Sequence, residues 1–247
     1  MQVSIGNWNL DHAKQLERRE GIRSVLQRER ADIWVLTESR DSVCPGDGYR
    51  LVAKSSPGVR DDADERWVSI WTHLPDMGER KTRDDEFSAC ALLVLPSGAR
   101  MAVFGTVLPW CGQRWRDHRS AGGAAFEAAL TTQAADWREL AAEPGIDGLC
   151  VAGDFNQDLS DRHYYWSSVT RESLRATLSD CGLRALTAHP ADPVRILGAG
   201  ERACIDHICL SAHVAARQHG SPRAWEPRWN DMVLSDHPGI LVSVHDA

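Results

Sequence analysis

Five short stretches put carboxylates, amides or imidazoles at the ends of apolar runs that read as buried strands. They are Asn7-Trp8-Asn9, Ile33-Trp34-Val35-Leu36-Thr37-Glu38, Val151-Ala152-Gly153-Asp154-Phe155-Asn156, Ile205-Asp206-His207-Ile208 and Leu234-Ser235-Asp236-His237-Pro238. Burying such groups unpaired is costly, so each needs a partner or a task. Asn7 and Asn9 are two apart and share a face of a strand. They read either as strand-end amides in water or as amides that orient a phosphate or a metal-bound water. Glu38 is either a surface residue at a strand–loop junction or a ligand for a hard cation such as Mg²⁺, which takes one or two carboxylates and keeps several waters. Asp154 and Asn156 share a face if extended, and Gly153 allows close backbone approach. Together they could hold an attacking water and a phosphate oxygen; the plainer reading is an Asx-rich turn. Asp206 and His207 point to opposite faces of their strand, which also suits a hydrogen-bonded core Asp. Asp236 and His237 are either a polar loop or a metal-ligating carboxylate beside a proton-handling imidazole.

The elements that must position these groups are legible from periodicity. Apolar runs bounded by Gly, Pro, Asp or Ser predict strands at 2–9, 32–37, 49–54, 67–73, 90–95, 99–108, 148–153, 204–210 and 239–244. Helical spacing of apolar residues predicts helices over 12–30, 114–142 and 171–181, the last stopped by Gly182. Several strands in succession across 49–108, with long helices elsewhere, fit an α/β architecture of two packed sheets with helices outside. No linker, repeat or composition break divides the chain, so a single domain spanning 1–247 is expected.

Bulk composition narrows the function. Twenty-eight basic and 35 acidic residues give a net charge of −7, which disfavours a strong sequence-blind grip on nucleic acid. It does not exclude such a substrate, because a carboxylate-rich site recruits cations of its own. Seven scattered cysteines without a CxxC pair read as buried free thiols in a reducing cytoplasm. Neither a signal-peptide pattern nor an apolar run of about 20 residues is visible, so no membrane role is expected. No protein partner is evident. On the substrate side, Gln113-Arg114-Trp115-Arg116-Asp117-His118-Arg119 interleaves cations with an aromatic ring, a pattern that binds phosphate while stacking a base. The plainer reading is the solvated first turn of the 114–142 helix. Arg162-His163-Tyr164-Tyr165-Trp166 is either a pocket wall or an insertion packed on the domain.

The order of the five polar stretches resembles the endonuclease/exonuclease/phosphatase superfamily, which includes abasic-site endonucleases, pancreatic-type deoxyribonucleases, sphingomyelinases and inositol polyphosphate phosphatases. Trp8-Asn9-Leu10, Leu36-Thr37-Glu38, Gly153-Asp154-Phe155-Asn156, Ile205-Asp206-His207 and Ser235-Asp236-His237 carry the resemblance across nearly the whole chain. It implies a four-layer α/β sandwich of two mixed sheets flanked by helices. It also implies Glu38 as principal ligand of Mg²⁺ or Mn²⁺, with Asn9 and Asp236 completing the metal set. Asp154 would orient or deprotonate the attacking water, and Asn156 would hold a non-bridging phosphate oxygen. His237 would contact the scissile phosphate or act as base, with Asp206 orienting it. Asn7, Arg114, His118, Arg119 and His163 remain the substrate-binding candidates. The implied activity is metal-dependent phosphate-ester hydrolysis, first as a phosphodiesterase or nuclease on nucleic acid or nucleotides. Phosphomonoesterase, lipid phosphodiesterase and non-catalytic binding module are the alternatives. One position departs from the pattern: Val107 stands where many members carry a His or Tyr, and His118 and His163 are candidates to replace that group.

Overall fold

The sheet topology brings together strand ends that are far apart in sequence. A computed structural model describes residues 1–57, 62–118, 123–160, 165–198 and 202–246. One six-stranded sheet runs in the order β11 (Arg223–Trp225), β14 (Gly239–His245), β1 (Gln2–Asn9), β2 (Ile33–Arg40), β4 (Glu65–Thr72), β3 (Arg50–Lys54). The other runs β5 (Asp76–Arg80), β6 (Ser88–Val94), β7 (Arg100–Val107), β8 (Gly148–Asp154), β10 (Asp206–Ser211), β9 (Leu183–Ala185). Among these neighbours β1/β2 and β7/β8 are parallel and the rest antiparallel, so both sheets are mixed. A small hairpin, β12 (Arg228–Trp229) and β13 (Met232–Val233), lies apart from both.

Strand alternation sorts side chains into two cores. Val3, Ile5, Ile33 and Val35 enter the core between the sheets. Trp8, Leu10, Trp34 and Leu36 face the other way, onto Ile22, Val25 and Leu26 of α1 (Leu16–Glu29). On the far side, α2 (Ala124–Ala142) buries Phe126, Leu130, Ala134 and Trp137, and α3 (Ser168–Asp180) buries Thr170, Leu174 and Leu178 at four-residue spacing. The layer order is therefore helix, sheet, sheet, helices. Short α4 (Pro193–Ile196) and α5 (Ala212–Ala215) complete the helices. Between the sheets, Gly105 of β7 faces Val68, Val35 and Ile70; a Cβ there would lie 2.3 Å from the Val68 side chain. The absence of a side chain at Gly105 fixes how closely the two sheets approach.

The long helix begins ten residues later than the periodicity predicts. Residues 114–118 form a turn in which Trp115 and His118 exchange backbone hydrogen bonds. Arg116 is left-handed (φ 49°), and so is Gly123 (φ 82°) at the N-cap of α2. Trp115 is buried, donating its indole N–H to Asp84. Gly182 does stop α3, with φ 66° and its N–H on Ser179. Strands β5, β9, β11, β12 and β13 were not expected; the last three are only two or three residues long. β5 is a polar, largely exposed edge strand and β9 is three residues long, so neither of these carries an apolar signature. All seven cysteines are free. Among the described residues no helix is long and apolar enough to cross a membrane.

Gly153 has φ 147° in β8, and an added Cβ would lie 1.9 Å from the Thr106 carbonyl oxygen of β7. Gly153→Ala must push apart the β7/β8 pair just before Asp154. A loss of at least about 2 kcal/mol in urea unfolding is expected. A cost under about 0.5 kcal/mol would mean that β8 does not hold this backbone conformation.

Candidate active site

Where β1, β2 and β8 end and β10 and β14 begin, the inter-sheet layer turns polar. Asn9 and Glu38 come from one sheet, Asp154 and Asp206 from the other, and His237 from the loop leading into β14. Asn9 joins the two sides: its Nδ2 donates to Glu38 Oε1 at 3.1 Å and to Asp154 Oδ2 at 3.0 Å. Glu38 reaches this contact through a left-handed backbone (φ 44°) inside β2. Regular alternation would have sent it to the α1 side with Trp34 and Leu36. Asn156 is also left-handed (φ 49°). Its N–H donates to Asp154 Oδ1 at 2.9 Å, and its Nδ2 donates to the Leu108 carbonyl at 3.0 Å. The second amide N–H of Asn156 is left for another acceptor.

Asp154 and Asp206 are direct partners across the β8/β10 ladder. With His237 they form a group whose ligand atoms all lie within 4.8 Å of one another. His237 Nδ1 is 2.6 Å from Asp206 Oδ2. Burial alone would lower the His237 pKa, but the charge and hydrogen bond of Asp206, with Asp154 beyond, raise it well above the ordinary value. Asp154 is raised too, by burial first and by the Asp206 charge second. Burial also pushes Glu38 up, but His12 and Asn9 outweigh it and hold that carboxyl below its usual range. The second oxygen of Asp206, Oδ1, is buried and has no hydrogen-bond partner. An orphaned carboxylate oxygen in a pocket of oxygen donors fits a hard divalent cation.

The loop carrying His237 is clamped to β1. Ser235 Oγ donates to the Asn9 carbonyl at 2.7 Å and accepts the His237 N–H at 3.1 Å. Trp8 Nε1 donates to the His237 carbonyl at 2.9 Å. Arg18 of α1 binds both Asp11 and the Leu234 carbonyl. On the other face of β10, His207 is fully buried, and burial lowers its pKa. Its ring nitrogens meet the Gln157 carbonyl at 3.0 Å and Thr187 Oγ1 at 3.2 Å, fixing the loop after Asp154.

Several expected site residues lie elsewhere. Asn7 is fully buried below Asn9 and donates to the Val35 carbonyl at 3.1 Å, which corrects the expectation that it touches substrate. Asp236 is 76% exposed, and its Oδ1 is 3.9 Å from His237 Nε2, so it stands on the rim rather than in the carboxylate cluster. His118 stacks on Trp115 and lines a surface cavity against α2. Arg114 is exposed in the turn before it. Arg119 and His163 lie outside the described residues. Beside His237, Tyr165, Val194, Arg202, Ala203, Ile205 and Pro238 line a cavity of about 220 Å³. Tyr165 belongs to the expected aromatic wall; Arg202 was not singled out, since one Arg among many carries no pattern.

His12 is the other residue the sequence did not flag. It stands between two carboxylates, Nε2 2.6 Å from Glu38 Oε2 and Nδ1 2.7 Å from Glu65 Oε1. Its turn, Asp11–Ala13, has three consecutive non-glycine residues at positive φ (43°, 60°, 43°), a cost of roughly 1–2 kcal/mol each.

The model of the endonuclease/exonuclease/phosphatase family matches residues 6–237 of the chain. No curated protein matches it. An AP endonuclease from Leishmania major shares the fold at 14% identity and TM-score 0.70, covering 100% of this chain and 88% of that one. The 3′ phosphatase NExo from Neisseria, bound to a product DNA hairpin, does so at 19% identity and TM-score 0.68, covering 98% and 99%. An AP endonuclease from Archaeoglobus fulgidus does so at 14% identity and TM-score 0.67, covering 99% and 100%. At these identities the likeness establishes the fold.

The pKa shifts fix a sign for stability. His237 is raised, so the stability it contributes is complete below about pH 6.5 and is lost as pH climbs through its folded value. Raised Asp154 acts in the same direction from about pH 4 upward. Lowered His207 acts oppositely, but only up to about pH 6.5. With chelator present, the thermal midpoint should fall between about pH 6.5 and 8, and Asp206→Asn should flatten that slope. Scanning calorimetry checks this; a wild-type midpoint that holds level or rises over the window contradicts it.

Proposed function

The chain belongs to the endonuclease/exonuclease/phosphatase family, and on that premise we propose that it is a divalent-cation-dependent phosphodiesterase acting on nucleic acid or nucleotides. The observation that carries this reading is the meeting of Asn9, Glu38, Asp154, Asp206 and His237, from five separated segments, across the edge of both sheets. Glu38 and Asp206, the latter through its unpartnered Oδ1, would hold the cation. Asn9, with its Oδ1 on the Asp11 N–H and its Nδ2 on Glu38 and Asp154, orients the carboxylates. The oxygen donors suit Mg²⁺ or Mn²⁺. When bound, the cation neutralises charge on the phosphate oxygens.

The chain's own groups divide the remaining work. Asp154, raised by burial and by Asp206, is poised to orient a water and accept its proton near neutral pH. The free N–H of Asn156 donates to a non-bridging oxygen. Despite burial, Asp206 and Asp154 raise the His237 pKa well above its ordinary value and so favour the charged ring. That favours a donor to the phosphate over a general base, with Asp206 fixing the Nδ1 side. Tyr165 and Arg202 line the cavity beside His237, where a neighbouring sugar, base or phosphate would sit. The Neisseria relative is bound to a DNA product, which supports nucleic acid as the substrate class. Because that relative is named a 3′ phosphatase, release of a terminal phosphate from a nucleic acid is the second reading.

With Mg²⁺ or Mn²⁺, cleavage of bis-nitrophenyl phosphate and of DNA or RNA oligonucleotides is expected, with nitrophenyl phosphate as the monoester control. Chelator should abolish it, and His237→Ala or Asp154→Asn should each lower kcat by roughly 10³-fold. The rate should fall on the acid side as Asp154 takes up its proton. Turnover that survives both substitutions, or no turnover of any substrate with either cation, would overturn the assignment.

A further inference from the structure

We propose that His12 is a nitrogen ligand of the cation site, held in place by Glu65, and that it biases the site toward Mn²⁺ over Mg²⁺. The inference rests on the reading of Glu38 as a cation ligand. Its first support is geometric. His12 Nε2 lies 2.6 Å from Glu38 Oε2. A bare ring nitrogen and a carboxylate oxygen repel at that distance, so the contact requires a proton or a cation between them. Neighbouring donors on one six-coordinate ion are roughly 3 Å apart, close to the spacing already present. The second support is the far side of the ring. His12 Nδ1 lies 2.7 Å from Glu65 Oε1, off the line of a hydrogen bond, so Glu65 puts a carboxylate charge behind the ring, where a metal-bound imidazole characteristically has one.

The third support is that the fold constrains this ring at a cost. His12 is left-handed, with left-handed neighbours on both sides, a strain of the kind that persists only where surrounding contacts over-determine it. Those contacts are present. Buried Arg40 donates from Nε to the His12 carbonyl at 2.7 Å and reaches Asp62 and Glu65 with its other nitrogens. Arg19 Nε donates to the Ala13 carbonyl at 2.8 Å. The Trp67 ring packs edge-on against the imidazole at 5.7 Å. The ring is about nine-tenths buried, so solvent does not dictate its position. Imidazole suits the transition metals, whereas Mg²⁺ strongly prefers oxygen and keeps its waters. A His beside Glu38 therefore discriminates between the two ions.

The test uses the full chain and the metal ions alone. Calorimetric titration of wild type should give tighter Mn²⁺ than Mg²⁺ binding. His12→Ala should weaken Mn²⁺ by about tenfold or more and Mg²⁺ by less than about threefold, with Glu65→Gln between wild type and His12→Ala. Pulsed electron paramagnetic resonance of the Mn²⁺-loaded protein should show ¹⁴N coupling that persists in His237→Ala and disappears in His12→Ala. If Mn²⁺ binds wild type without ¹⁴N coupling, or if coupling survives His12→Ala, the His12 assignment is wrong while the cation reading stands. If neither ion binds wild type, both fail together. Circular dichroism confirms that each variant is folded, and the wild-type spectrum alone decides the point if His12→Ala is not.

Discussion

Two buried carboxylates face each other on adjacent strands, and the rest of the site answers that fact. Asp154 and Asp206 are ladder partners, and at the few ångströms that separate them two full charges repel by about 4 kcal/mol at an effective dielectric of 20. That is a large share of the roughly 5–15 kcal/mol by which a domain is stable. The fold tolerates it because opposite charge is delivered from the other sheet. The imidazole of His237 closes on Asp206 at 2.6 Å, and the Asn9 amide covers Asp154 at 3.0 Å. The same repulsion adds to burial in raising the Asp154 pKa, and the attraction of Asp206 raises that of His237.

Strained backbone gathers at this same edge. Glu38, Asn156 and the run Asp11 to Ala13 are all left-handed without being glycine. In each case the unusual dihedral re-aims a polar side chain or loop that regular strand geometry would have turned elsewhere. Glu38 is the clearest case, since alternation along β2 would place it among the apolar residues packed on α1. Compensation comes from long-range hydrogen bonds, notably Arg40 to His12 and Ser235 to Asn9.

Much of the fold was legible because a strand buried on both faces leaves an apolar run that ends abruptly. Nearly all the major strands of both sheets show it, and the polar residues closing five of them mark the shared edge. Exposed, polar β5 shows no such run. The late start of α2 depends on left-handed Gly123 and Arg116, which periodicity cannot register. At the candidate site, residue type singled out Glu38, Asp154, Asp206 and His237, which the structure brings together. It did not separate Asn7, which lies one pleat too deep, from Asn9, nor the outward-turned Asp236 from its inward neighbour. His12 escaped notice because its meaning comes from Glu65, more than 50 residues away, and from a dihedral angle.

The close approach of the sheets at Gly105 has a mechanical consequence. Glu38 and Asp154 stand on different sheets, so the gap between them follows how tightly the sheets are pressed together. Val35, Val68 and Ile70 act as spacers in that gap. A single methyl added or removed there opens or narrows that gap. The width of the polar cleft is thus a gauge of the thickness of the interior.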